Sequence, residues 1–105
     1  MGATGRTLVN SEAEVILTEA LVASGMAELR WELRDLVLAG VRNLIVDVSK
    51  IDQLSSTTLA ALLGTHRACR ARGGGVIIRH PNVRALDLLR RTGLHRVFLV
   101  DPPLR

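Results

Sequence analysis

The stretch from Leu44 to Cys69 constrains the fold more than any other part of the chain. Leu44-Ile45-Val46-Asp47-Val48 is a nearly continuous apolar run bounded by Asn43 and Ser49. Such a run reads as a strand covered on both faces, and therefore central in a sheet. After Lys50-Ile51-Asp52-Gln53, the residues Leu59, Leu62, Leu63, His66 and Cys69 recur at helical spacing. Between strand and helix stand four consecutive hydroxyl residues, Ser55, Ser56, Thr57 and Thr58. A Ser or Thr side-chain oxygen accepts from the orphan N–H groups of a first helical turn, so the helix must begin here. One cap takes one hydroxyl. The others are left for solvent at the positive end of the helix dipole, where a covalently attached phosphate would be well placed.

The rest of the chain continues this alternation. Val15-Ile16-Leu17 reads as an early strand, paired with Thr7-Leu8-Val9, while Thr18 to Val22 gives no clear assignment. Ser24 reads as the cap of a helix carrying Met26, Leu29, Leu33, Leu36 and Val37 and ending near Ala39, with Gly40 at its C-terminal turn. Trp31 lies off that apolar stripe, and partial burial at the core rim is the expectation. Gly73-Gly74-Gly75 follows a helix and precedes a strand, the reverse of the order in a phosphate cradle, and reads as a flexible turn. Val76-Ile77-Ile78 is the next strand. Pro81 fits the first turn of a further helix whose stripe is Val83, Leu86 and Leu89 and whose end is Gly93. Val97-Phe98-Leu99-Val100 is the last strand, stopped by Pro102-Pro103. The pattern predicts one α/β domain over residues 1–105, with residues 1–6 as a flexible tail and right-handed crossovers between parallel strands.

At 105 residues and 48% hydrophobic content the chain can bury a core, an aliphatic one because Trp31 and Phe98 are the only Trp, Tyr or Phe residues. No apolar run approaches the roughly 20 residues of a membrane span, and the N-terminus lacks a signal-peptide pattern. A soluble cytoplasmic protein with no membrane partner is the expectation. Cys69, the single cysteine, reads as a buried structural thiol.

Net charge is +4, and the segment from His66 to Arg96 holds eight arginines and all three histidines against Asp87 alone. A surface of this kind suits an acidic partner or nucleic acid, but no aromatic or glycine motif of a nucleic-acid module accompanies it. Solvated helix faces are the preferred reading.

Catalysis has no support in the pattern. His66 is some ten residues beyond Ser56 on the same helix, about 15 Å away, and cannot activate it. His80 and His95 read as surface histidines, and Asp47 and Asp52 as turn caps in preference to cation ligands. No paired carboxylates or Cys/His cluster appear, so neither a metal nor a cofactor is implied.

Laid out in order, the chain resembles a STAS domain of the anti-sigma factor antagonist family. The resemblance rests on Leu44 to Val48 with Ser49, the turn Leu54 to Leu59 with Ala60-Ala61-Leu62-Leu63-Gly64, Gly73-Gly74 before Val76-Ile77-Ile78, and Leu89 through Thr92-Gly93-Leu94 into Val97-Phe98. It implies a central, mostly parallel sheet of four or five strands with three to four helices. In that family the turn reads Asp-Ser-Ser-Gly, and its first serine is phosphorylated by a partner that is both kinase and anti-sigma factor. That serine corresponds to Ser56, with Ser55 and Thr57 as alternatives. The aspartate is replaced by Ser55, the second serine by Thr57 and the glycine by Thr58. The implied partner surface is Ser55, Ser56, Thr57 and Thr58, which docks on an anti-sigma factor and releases a sigma factor. Two other readings stand beside it: a STAS scaffold independent of phosphorylation, and a basic nucleic-acid or nucleotide binder. A homodimer stays open.

Overall fold

In the computed structural model, residues 7–9, 11–23 and 25–103 are described. The expected tail over residues 1–6 and the Ser24 cap lie outside them. The elements are β1 (Thr7–Val9), β2 (Glu12–Ile16), α1 (Glu19–Ala23), α2 (Ala27–Leu38), β3 (Asn43–Asp47), α3 (Ser56–Arg70), β4 (Gly75–Arg79), α4 (Val83–Thr92), a 3-10 turn (Leu94–Arg96) and β5 (Leu99–Asp101).

The five strands lie in the spatial order β1-β2-β3-β4-β5, β1 antiparallel to β2 and the other pairings parallel. Each parallel connection steps one strand further in the same direction. Right-handed crossovers then put α2, α3 and α4 on one face of the sheet. Burial follows that rule: Ala13 and Val15, Leu44 and Val46, and Val76 and Ile78 are aligned in register and buried. The alternate residues Glu14, Ile45 and Ile77 are only half covered, and Leu99 beside Ile77 is exposed.

The sheet is therefore central at β3, as the sequence predicts, but covered on one face and not on two. On the uncovered face Arg79 reaches across strands, 2.9 Å from an Asp101 carboxylate oxygen and 3.5 Å from one of Glu14.

Helix α3 lies on the buried face with Leu59, Leu62, His66 and Cys69 inward. Burying each leucine is worth about 1.5–3 kcal/mol relative to exposure. Several boundaries differ from the sequence pattern for local reasons. Helix α2 starts at Ala27, with Met26 in the left-handed region at the cap position. The unassigned stretch after Leu17 forms the short helix α1, its Leu21 N–H donating to Thr18 Oγ1 at 3.1 Å. Trp31 is 72% exposed, so the expected partial burial does not occur.

Helix α4 starts at Val83, because Asn82 Oδ1 accepts from the Ala85 N–H at 2.8 Å and takes the cap, leaving Pro81 outside. Val83 is exposed, and Ala85 and Leu89 form the buried stripe. Val97 and Phe98 are not in the last strand, since both N–H groups donate to the Leu94 carbonyl in a helical turn. Pairing with β4 begins only at Leu99.

The glycine turn is tightly built, contrary to the expected flexibility. Gly73 takes a left-handed φ of 88°. A Cβ on Gly74 would lie 1.8 Å from the Arg42 carbonyl oxygen. Gly74→Ala is therefore expected to cost about 3 kcal/mol, the upper part of the range for overpacking, because the two nearest atoms are backbone atoms of Arg42. Gly64, in the middle of α3, faces open space. Gly64→Ala is expected to gain about 0.5–1 kcal/mol from helix propensity. Urea denaturation of the two variants checks both signs.

Candidate functional site

The loop between β3 and α3 is held by its neighbours on three sides. Ile51 and Leu54 are buried and anchor it from below. Glu19 of α1 accepts from the Asp52 N–H at 3.0 Å, Asn82 Nδ2 donates to the Asp52 carbonyl at 2.9 Å, and Arg84 pairs with the Asp52 carboxylate at 3.0 Å. At the strand end Asp47 Oδ1 accepts from the Ser49 N–H at 2.8 Å, and His80 Nδ1 lies 3.5 Å from Asp47 Oδ2. Burial alone would raise the Asp47 carboxyl, but the hydrogen bonds from Ser49 and His80 outweigh it and hold it below its usual value. Asp47 thus caps a turn, and Asp52 ties the loop to α4.

The four hydroxyls divide by geometry. Ser55 has extended backbone and is the N-cap of α3, its Oγ accepting from the Thr58 N–H at 3.1 Å. Ser56 is the first residue of the helix, and it and Thr57 are exposed. Thr58 is 2% exposed, its Oγ1 3.0 Å from Ser55 Oγ and donating to Met26 Sδ at 3.6 Å. Thr58 therefore belongs to the core and steadies the cap. It does not offer its hydroxyl to solvent, as the resemblance had implied for a partner surface, because the third helical position turns inward. Only Ser55, Ser56 and Thr57 reach the surface.

This arrangement gives physical meaning to the departure from the family turn. On the correspondence that the resemblance implies, the family aspartate falls at the cap position here, and Ser and Asp cap a helix about equally well. The exchange keeps the hydrogen bond and removes the charge. Beside Ser56 lies a hollow of about 430 Å³, bordered by Gln53, Arg84, Asp87 and Arg91. Arg84 is paired with Asp52 and Arg91 with Asp87 at 3.1 Å.

His66 stands at the other end of α3. Its Nδ1 accepts from the Val76 N–H at 3.0 Å, and its ring meets Phe98 edge to face at 5.4 Å between centroids. His66 is 9% exposed. Burial, helped by the Arg70 charge, pushes its pKa below the ordinary histidine value. A role in joining helix to strand was not visible in the sequence, where only spacing placed His66 inside. Burial also raises the Cys69 thiol, the Arg72 charge opposing it only in part, in keeping with a structural role.

The sequence profile described as "Mlab, STAS domain" matches residues 5–101. The chain belongs to the STAS domain family. No curated protein matches it by sequence. Among solved structures, the Bacillus anti-sigma factor antagonist SpoIIAA in its unphosphorylated form is similar, with a TM-score of 0.76, 16% identity, and 90% of this chain and 84% of that chain covered. A variant of RsbS from Moorella thermoacetica aligns with a TM-score of 0.70 at 16% identity over 96% of this chain and 90% of the other. An anti-sigma factor antagonist from Mycobacterium paratuberculosis gives 0.72 at 17% identity, covering 94% and 84%. At such identities the likeness is one of fold.

Two expectations follow. Ser55→Ala should destabilise the protein by about 1 kcal/mol, Ser55→Asp should restore most of that, and Ser56→Ala should be nearly neutral, read as shifts in the urea midpoint. The second concerns His66. Its folded-state pKa is depressed, so between that value and the unfolded value near 6.5 the unfolded chain binds more protons. Stability is full above about pH 6.5 and declines as pH falls through the folded pKa. His66→Asn keeps an acceptor for the Val76 N–H and should remove this pH step, as measured by denaturation between about pH 5 and 8.

Proposed function

We propose that this STAS domain is an anti-sigma factor antagonist that binds an anti-sigma factor with serine kinase activity, releases a sigma factor, and is switched off by phosphorylation of Ser56. The observation that carries the reading is the exposed hydroxyl of Ser56 on the first residue of α3, beside a cap already supplied by Ser55. Solved relatives named as anti-sigma factor antagonists, with SpoIIAA described in both unphosphorylated and phosphorylated forms, support it.

The mechanism needs no conformational change. Ser55, Ser56 and Thr57 form a neutral, hydroxyl-lined patch that docks on the partner. A phosphate adds about −1.5 to −2 charges. The helix N-terminus tolerates that charge, so α3 stays folded, while the partner must then desolvate a dianion to dock. Affinity falls because the interface is spoiled.

Incubating the protein with ATP and the kinase-type anti-sigma factor from the same cell is expected to add one phosphate, found on Ser56 by mass spectrometry. Ser56→Ala should abolish transfer, whereas Ser55→Ala and Thr57→Ala should keep it. Ser56→Asp should weaken partner binding at least about tenfold, or 1.4 kcal/mol, without lowering the urea midpoint. Transfer that persists in Ser56→Ala would move the site to Ser55 or Thr57.

A second reading, a scaffold independent of phosphorylation, is favoured by the loss of the family's acidic residue at Ser55 and by the exposed Trp31 and Leu38 on α2. It expects partner binding that Ser56→Asp leaves unchanged and Trp31→Ala weakens.

A further inference from the structure

At the end of the domain remote from Ser56, the last turns of α3, the start of β4 and the 3-10 turn border an open hollow of about 540 Å³. This is within the size range of small-molecule sites. Its polar groups are Asn43, His66, Arg70 and Arg96, and no carboxylate lines it. The arginines from His66 to Arg96 are of two kinds, those held by a carboxylate and those that are not. Arg79, Arg84 and Arg91 are each paired with a carboxylate. Among the described residues neither Arg70 nor Arg96 has such a partner, although both border the same cavity.

His66 adds a third donor. Because Nδ1 accepts the Val76 N–H, the neutral ring carries its proton on Nε2. That N–H has no acceptor among the described residues, although His66 as a residue is only 9% exposed. The backbone of the glycine turn is not available for the task. The N–H groups of Gly73, Gly74 and Gly75 already donate to the carbonyls of Arg70, Cys69 and Arg42. Recognition falls to side chains, two guanidinium groups and one imidazole N–H, a set that matches the oxygens of a phosphoryl group. The cavity is larger than a bare ion requires, and its outer wall is apolar, with Val97 41% and Leu99 68% exposed.

We infer that this hollow binds a small organic phosphate, its phosphoryl group held by Arg70, Arg96 and the Nε2–H of His66, and its organic part laid against Val97 and Leu99. The site is independent of the Ser56 switch. It lies some ten residues away along α3, about 15 Å at 1.5 Å per residue.

The test is a titration of the labelled full chain, followed by amide shifts in two-dimensional NMR, with three probes: phenyl phosphate, inorganic phosphate and phenol. Phenyl phosphate is expected to shift the amides of Gly73, Gly75, Val76 and Arg96 saturably at millimolar concentration or below. Inorganic phosphate should act at the same amides at least about threefold more weakly, and phenol should give no saturable shift there. The double variant Arg70→Ala with Arg96→Ala removes two exposed, unpaired side chains and should keep the urea midpoint while weakening phenyl phosphate at least about tenfold. Ser56→Ala should leave the affinity unchanged. Absence of saturable shifts with phenyl phosphate, or equal affinity in the double variant, would overturn the site. Equal affinity for inorganic and phenyl phosphate would overturn the organic ligand in favour of the free ion.

Discussion

The packing of α3 on the buried face of β3 and β4 is the contact on which the rest of the molecule depends. Leu59, Leu62 and Cys69 meet the row formed by Leu44, Val46, Val76 and Ile78 in one continuous apolar cluster. A helix on such a bed can neither slide nor rotate without uncovering several side chains together. Its two ends are fixed as a consequence, one presenting Ser56 and the other carrying His66 to the Val76 N–H. Both surfaces with chemical potential are ends of the same buried rod.

Most of this framework was legible because strong local signals agreed. The β-branched runs gave β2, β3 and β4, the hydroxyl run gave the start of α3, and Gly40 and Gly93, both left-handed, gave two helix ends. What failed were features decided by neighbours distant in sequence. Leu44 to Val48 reads as doubly covered because Ile45 is as apolar as Val46, yet consecutive right-handed crossovers place every long helix on the same side. Val97 and Phe98 have strand propensity, but the Leu94 carbonyl claims their N–H groups. Pro81 lost the helix start to Asn82, whose amide also bridges to the carbonyl of Asp52. At the candidate site, the helix start within the hydroxyl run was readable, whereas the choice of Ser55 as its cap was not, and the inward turn of Thr58 depends on Met26, a partner 32 residues earlier.

Charge is distributed with the same economy. The arginines of the second half are not one uniform basic field. Some are spent in holding the architecture: Arg79 across the uncovered sheet face, Arg84 on the loop before α3, and Arg72 on the Val37 carbonyl at 2.8 Å. Among the described residues Arg67, Arg70, Arg90 and Arg96 have no such contact, and of these Arg70 and Arg96 border one hollow. The distinction between structural and available cations is invisible in a net charge of +4.

The sheet's outermost strands, β1 and β5, are each three residues long. A fourth-rung partner would find almost no ladder to extend, so these borders resist the strand-by-strand growth that leads to fibres. Docking through side chains on the helices or the sheet face is the mode that such short borders favour. Under such docking, sequence change at the surface can alter the choice of companion without rebuilding the fold.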